Sequence, residues 1–126
     1  MKKMQHAILI VEDEKMVREG LARALSDAFK TYQACNGSEA IRIIRDKSDI
    51  KVVVSDLKMP ELDGIELLEN IRTSNKKIDV IFVTAFYSVE AAVSAMKKGA
   101  FDYMTKPVNI EKLETSIQNA IAGKGI

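Results

Sequence analysis

One cysteine, Cys35, occurs in 126 residues. Its solitude excludes an intrachain disulfide and a cysteine metal cluster, and points to a reducing, cytoplasmic setting. At the end of a strand it reads as a small core residue. Histidine is as scarce: His6 stands alone ahead of the first strand and reads as a surface or strand-edge residue rather than a ligand. No apolar run approaches the roughly 20 residues that span a bilayer. The basic start Met1-Lys2-Lys3 is followed by an apolar stretch too short for a signal peptide, and that stretch ends in acid. An excess of one charge is missing too. With 19 basic and 18 acidic residues the formal net charge is +1, which argues against binding nucleic acid or a membrane surface by bulk charge. Internal repeats and low-complexity segments are absent, and only Gly123-Lys124-Gly125-Ile126 reads as the start of a linker. What is present is 47% hydrophobic and 29% charged, as expected of one globular domain, residues 1–126, around one core.

Strand and helix patterns alternate along it. Apolar runs at 7–11, 31–35, 51–55, 79–84 and 101–105 read as strands. Between and after them lie helical stripes: Val17, Leu21, Ala24, Leu25 and Ala28 in the first helix, Ala40, Ile41 and Ile44 in the second, and Ile65, Leu68 and Ile71 in the third. The fourth carries Val89, Ala92, Val93 and Met96, and the fifth, over 110–122, carries Leu113, Ile117, Ala120 and Ile121. Ser38 and Ser88 are candidate N-caps, and Gly99 is placed to end the fourth helix. The strands are apolar throughout rather than alternating, which implies burial on both faces and a parallel sheet covered by helices on each side. Five strand–helix units favour the α/β, flavodoxin-like, doubly wound order 2-1-3-4-5 with five helices. Its switch point lies between the first and third strands, and ligands bind there, outside the carboxyl ends of the strands.

The strands end in polar residues. Ile8-Leu9-Ile10-Val11 runs into Glu12-Asp13, and Val52-Val53-Val54-Ser55 into Asp56. Val80-Ile81-Phe82-Val83 runs into Thr84-Ala85, and Phe101-Asp102-Tyr103-Met104-Thr105 into Lys106-Pro107. In a parallel sheet these ends form one edge, where three carboxylates, a hydroxyl and an ammonium meet. Carboxylate pairs about 4 Å apart repel by roughly 1 to 4 kcal/mol, so the edge must raise a pKa or hold a cation. Mg²⁺, which takes oxygen ligands and keeps several waters, suits one or two carboxylates and a phosphate. A carboxylate such as Asp56 can also attack phosphorus and form an acyl phosphate. Lys106 can balance a phosphoryl oxygen, Thr84 can donate to another, and Ala85 leaves room for the group to enter. Each residue has an ordinary alternative: Asp56 as a turn residue or N-cap, Glu12-Asp13 as helix-start acids, Thr84 in a turn, Lys106 as a solvated lysine. Such alternatives do not account for all of them at successive strand ends of one sheet.

Four stretches carry a resemblance. They are Ile10-Val11-Glu12-Asp13-Glu14, the run from Ser55-Asp56 through Lys58 to Asp63-Gly64, Val83-Thr84-Ala85, and the run from Lys98-Gly99 through Tyr103 to Lys106-Pro107. In this order and spacing, from Ile8 to Ala122, the chain resembles a receiver domain of the two-component response regulators, most like those of nitrogen-regulation-type (NtrC-like) transcription activators. The resemblance implies a CheY-like fold and a phosphorylation switch driven by a sensor histidine kinase. It implies Asp56 as phosphoacceptor and a Mg²⁺ (or Mn²⁺) site made by Asp13, Glu12, Asp56 and the backbone carbonyl of Lys58. It further implies Thr84, Ala85 and Lys106 at the phosphoryl group, Thr84 and Tyr103 as a switch pair, and a cis bond before Pro107. The implied partners are that kinase, an output domain or downstream protein, and a phosphorylation-dependent second copy, with no direct binding of nucleic acid or membrane. By the same resemblance, Lys58 and Phe86, two residues beyond Asp56 and Thr84, stand at variable positions expected to tune phosphoryl lifetime. Two other classes fit less well. A haloacid-dehalogenase-like phosphatase needs a second Asp two residues after the nucleophile, where Lys58 stands, and a cap domain. A flavin carrier needs a hydroxyl- and glycine-rich loop after the first strand, where Glu12-Asp13-Glu14 repels phosphate.

Overall fold

The computed structural model describes residues 6–74, 76–86 and 88–124. Five strands and five helices alternate: β1 Ala7–Val11, α1 Lys15–Leu25, β2 Lys30–Ala34, α2 Gly37–Asp46, β3 Ile50–Ser55, α3 Gly64–Thr73, β4 Asp79–Thr84, α4 Val89–Lys97, β5 Asp102–Thr105 and α5 Ile110–Ile121. The strands form one sheet in the order β2-β1-β3-β4-β5, and every pairing is parallel. The doubly wound order expected from the sequence is the observed one. No helix among the described residues is long and apolar enough to cross a membrane.

Period-2 alternation divides the core into two layers. On one face Ala7, Leu9, Val11, Val53, Val80 and Phe82 pack with Ala40, Ile44, Leu67, Leu68 and Ile71 of α2 and α3, and with Ala95 of α4. On the other face Ile8, Ile10, Val52, Val54, Ile81 and Val83 pack with Leu21, Ala22 and Leu25 of α1 and Leu113, Ile117 and Ala120 of α5. Each fully buried Val, Ile or Leu contributes about 1.5–3 kcal/mol of transfer free energy, so the central strands cannot shift register without exposing both layers. Their carboxyl ends are thereby fixed in space, and those ends carry the polar residues.

Several local expectations differ. In α1, Ala22 is buried while Ala24 and Ala28 are exposed: the helix stops at Leu25, and the face toward the sheet runs through Leu21, Ala22 and Leu25, closed by Phe29. The N-cap of α2 is Asn36, which accepts from the Glu39 N–H at 2.8 Å, not Ser38. Cys35 lies past the end of β2 and is exposed rather than in the core. In α4 the expected inward stripe is reversed. Val89, Val93 and Met96 are 64%, 46% and 41% exposed, Ala92 is half-buried, and Ala95 is the buried residue. Ser88 does cap α4, and Gly99 follows it at φ +106°. Gly123, expected in a linker, closes α5 at φ +76°: its N–H donates to Ala120 and that of Lys124 to the Asn119 carbonyl, while Gly125 and Ile126 lie outside the described residues.

Candidate functional site

Glu12, Asp13 and Asp56 each offer a carboxylate oxygen within 4.8 Å of the others. β1 and β3 are adjacent central strands, paired Val11 to Ser55, so the residues just beyond them meet. The Asp56 N–H donates to the Val11 carbonyl at 3.0 Å, extending the ladder to the site itself. The loop after Asp56 is pinned at its far end by Asp63, whose carboxylate accepts from the Glu66 N–H at 2.9 Å while Glu66 Oε1 accepts from the Asp63 N–H at 3.0 Å. That reciprocal cap is worth about 0.5–2 kcal/mol. Gly64 follows because nothing larger fits: a Cβ there would lie 2.6 Å from the Asp56 carbonyl and 2.7 Å from the Phe82 ring. Within the loop Glu61 adopts φ 66°, a left-handed conformation that is strained for a side chain.

Lys106 enters from the end of β5. Its backbone N–H donates to the Thr84 carbonyl at 2.9 Å, and its ammonium lies 2.7 Å from Glu12 Oε1 and 3.0 Å from Asp56 Oδ2. The following bond to Pro107 is cis. Burial pushes the Glu12 carboxyl above its ordinary value, against the Lys106 contact and the Glu14 N–H that donates to Glu12 Oε2 at 3.1 Å. Burial pulls the Lys106 ammonium down, but its hydrogen bonds and charge contacts with Glu12 and Asp56 outweigh that and hold it above the ordinary lysine value. Three carboxylates against one ammonium leave two net negative charges when all are ionised, an all-oxygen donor set that fits one hard divalent cation.

Thr84, at the end of β4, is 1% exposed, and its Oγ1 accepts from the Phe86 N–H at 3.1 Å. The Tyr103 hydroxyl, from neighbouring β5, donates to the Phe86 carbonyl at 2.7 Å. The two residues paired by the sequence reading thus meet through the backbone of Phe86. Ala85 is exposed, and the Lys58 ammonium sits 4.6 Å from the centre of the Phe86 ring. Sequence reasoning missed Arg18, whose guanidinium donates to the Glu12 carbonyl at 2.9 Å and steadies the β1–α1 turn. It also missed the two amides, of Glu14 and Lys58, that donate to Glu12 and Asp56. Backbone donors leave no residue-type signal, and Arg18 is one of several arginines on helices.

Comparison with known proteins gives the family. The family model described as "Response regulator receiver domain" matches residues 8–118. Regulatory protein AtoC of Escherichia coli (strain K12) is 41% identical over 90% of this chain and 25% of its own length. The DNA-binding transcriptional regulator NtrC of the same organism is 37% identical over 94% of this chain and 26% of its own. The chain therefore spans about a quarter of the curated relatives it matches. The crystal structure of a response regulator receiver domain protein from Clostridium thermocellum superposes with TM-score 0.89 at 33% identity, covering 94% of this chain and 95% of that one. The haloacid-dehalogenase alternative finds no support in these relatives, and the fold they share is that of signalling proteins. A five-stranded 2-1-3-4-5 sheet, an acidic trio at its switch point and a model match over most of the sequence place the chain in the response regulator receiver domain family, with relatives of the NtrC-like type.

Proposed function

We propose that the chain is a phosphorylation-dependent signalling switch in which Asp56 accepts a phosphoryl group from a phosphohistidine of a sensor kinase. The observation that carries the reading is the meeting of Asp56, Glu12 and Asp13 with Lys106 bridging two of them. An Asp56 carboxylate oxygen attacks phosphorus; the phosphorus–nitrogen bond breaks, its electron pair stays on the imidazole, and an acyl phosphate forms. Asp13, Asp56, Glu12 and the Lys58 carbonyl would hold Mg²⁺ (or Mn²⁺), which would supply charge neutralisation there. Lys106 exchanges its carboxylate contact for a phosphoryl oxygen, and Ala85 leaves the entrance open. The phosphoryl group adds up to about two negative charges beside Thr84. Thr84 Oγ1 turns to donate to it and gives up the Phe86 N–H, and Tyr103, tied to the same residue, changes position with it. The reading face is then α4, β5 and α5, which controls an output domain or partner and pairs with a second copy. Transcription regulation is the output that the NtrC-like relatives support.

The test is labelling by acetyl phosphate with Mg²⁺. Intact-mass spectrometry should show one added phosphoryl group on the wild type and none on Asp56→Asn. Equal labelling of that variant refutes the assignment.

A further inference from the structure

The two ends of α4 are held in different ways. At its amino end the chain is tied by the Phe86 N–H to Thr84 Oγ1 at 3.1 Å and by the Tyr103 hydroxyl to the Phe86 carbonyl at 2.7 Å. Both ties run through the residues that the proposed switch moves. At its carboxyl end the contacts come from elsewhere. Arg72, in the last turn of α3, donates Nη1 to the Ile78 carbonyl and Nη2 to the Gly99 carbonyl, each at 2.9 Å. Ile78 precedes β4, and Gly99 lies three residues before Asp102, where β5 begins. One guanidinium thus staples the amino ends of two adjacent strands, at the opposite end of β4 from Thr84. One turn earlier on α3, Glu69 pairs with Lys98 at 3.2 Å.

The local backbone is shaped for that contact. Gly99 closes α4 in a Schellman arrangement: its N–H donates to the Met96 carbonyl at 3.1 Å, and the Ala100 N–H to the Ala95 carbonyl at 3.0 Å. These two bonds use the Met96 and Ala95 carbonyls, and the Gly99 carbonyl accepts from the arginine. Gly99 sits at φ +106°, and a Cβ there would lie 2.9 Å from Arg72 Nε. The two residues are fitted to each other. Ala95 and Ala100, at 0% and 6% exposure, bury this end, while Val89 at the other end is 64% exposed.

We propose that Arg72 is a positioning residue that anchors the carboxyl end of α4, so that release of the amino end swings the helix about Gly99 instead of detaching it. The proposal rests on the switch reading for the trigger, but the anchor exists before any phosphoryl group arrives. A planar fork can hold two carbonyls at once, whereas a lysine ammonium is a point donor on a flexible stem. The staple is solvent-accessible, so it is worth about a tenfold shift in local opening rather than a thousandfold one.

The experiment is amide hydrogen exchange by NMR on the unphosphorylated chain, followed by addition of Mg²⁺ and beryllium fluoride. In the wild type, Met96 and Lys97 should exchange more slowly than Ala92 and Val93. Arg72→Ala should speed Met96, Lys97 and Lys98 by about tenfold while Ala92 and Val93 change by less than about twofold. Arg72→Lys should fall between the two, and it carries the test if the alanine variant fails to fold. Unchanged exchange at 96–98, or equal acceleration of α4, β1 and β3, overturns the anchor, because the second pattern is general loss of stability. With beryllium fluoride, wild-type shift changes should decay from Ser88 toward Lys98, and in Arg72→Ala they should persist at full size through Gly99 and Ala100. A uniform wild-type response overturns the pivot. Absence of any response in α4 refutes the switch reading, and the exchange result then decides the anchor by itself.

Discussion

Replacing Lys106 by methionine removes the cation shared by Glu12 and Asp56 while keeping most of the apolar stem. Its ammonium lies 2.7 Å from one carboxylate oxygen and 3.0 Å from the other. At an effective dielectric of about 20, each contact is worth roughly 6 kcal/mol of gross Coulomb attraction, but desolvation of the ammonium offsets much of this. Glu12 sets a tighter bound. At 2% exposure it cannot hydrate its charge, yet it can take up a proton. From its ordinary value of 4.5 to a solution at about pH 7, protonation costs roughly 3.4 kcal/mol, at about 1.36 kcal/mol per unit. Glu12 therefore cannot contribute more than that, and the expected loss is about 2–3 kcal/mol at neutral pH with a chelator present. The pH dependence has a definite sign. The folded Glu12 pKa is already raised by burial, and loss of Lys106 raises it further. A carboxyl with a raised folded pKa binds more protons folded than unfolded, so stability falls as pH rises from the unfolded value to the folded one. The wild type levels off first and the variant goes on losing stability, so the gap opens above the wild-type Glu12 pKa. Denaturant unfolding between about pH 5 and pH 8 reads this directly. Mg²⁺ should stabilise the variant more than the wild type, since three carboxylates then lack any cation. A gap that is constant across that range, or a larger Mg²⁺ effect on the wild type, refutes the account.

Asp13→Ala should weaken Mg²⁺ binding by about tenfold or more, or about 1.4 kcal/mol, in an amide-shift titration; undiminished affinity removes Asp13 from the ligand set. Thr84→Ala deletes the acceptor of the Phe86 N–H. It should shrink the shifts that beryllium fluoride induces in α4 and β5 while leaving those beside Asp56, and a full response in this variant excludes the hydroxyl as relay. Gly64→Ala places a Cβ 2.6 Å from the Asp56 carbonyl, where backbone must move; thermal unfolding should show a loss of about 1–3 kcal/mol, and a neutral result would mean that the loop over the site yields readily.

The sheet order and the carboxylate cluster of the candidate site were legible for one physical reason. A parallel strand buried on both faces must be apolar along its length, so the first polar residue after it marks its carboxyl end. Glu12 follows Val11 and Asp56 follows Val54-Ser55 at such boundaries, while Thr84 is the last residue of β4, and the strand order alone brings Glu12 and Asp56 together. What joins the parts was not legible. Phe86 links Thr84 to Tyr103 through its backbone N–H and carbonyl, which every residue type possesses. Arg72 reaches Gly99 across 27 positions, and no periodicity relates them. The caps failed or held by local geometry: Asn36 displaced Ser38 at α2, whereas Ser88 at α4 accepts from the Ala91 N–H as expected.

The reversed stripe of α4 has a different origin. Periodicity shows that Val89, Val93 and Met96 share a face, but not whether that face meets this chain's own sheet. Two apolar faces compete in this helix, and the sheet receives the side carrying Ala91 and Ala95. Alanine buries little area, and at about 25 cal/mol per Å² the attachment is far weaker than a row of leucines would give. The larger side chains are left facing outward, where burial within this chain gains nothing. For a static domain that is a poor use of valine and methionine. For a helix that must change position at a cost of a few kcal/mol, a weakly bound inner face is a requirement, because a phosphoryl group can shift the balance only by its differential interaction with the two states. The same weakness makes a fixed point elsewhere necessary if the helix is to move in one direction, and the proposed anchor at Gly99, where Arg72 donates to the carbonyl at 2.9 Å, would supply one.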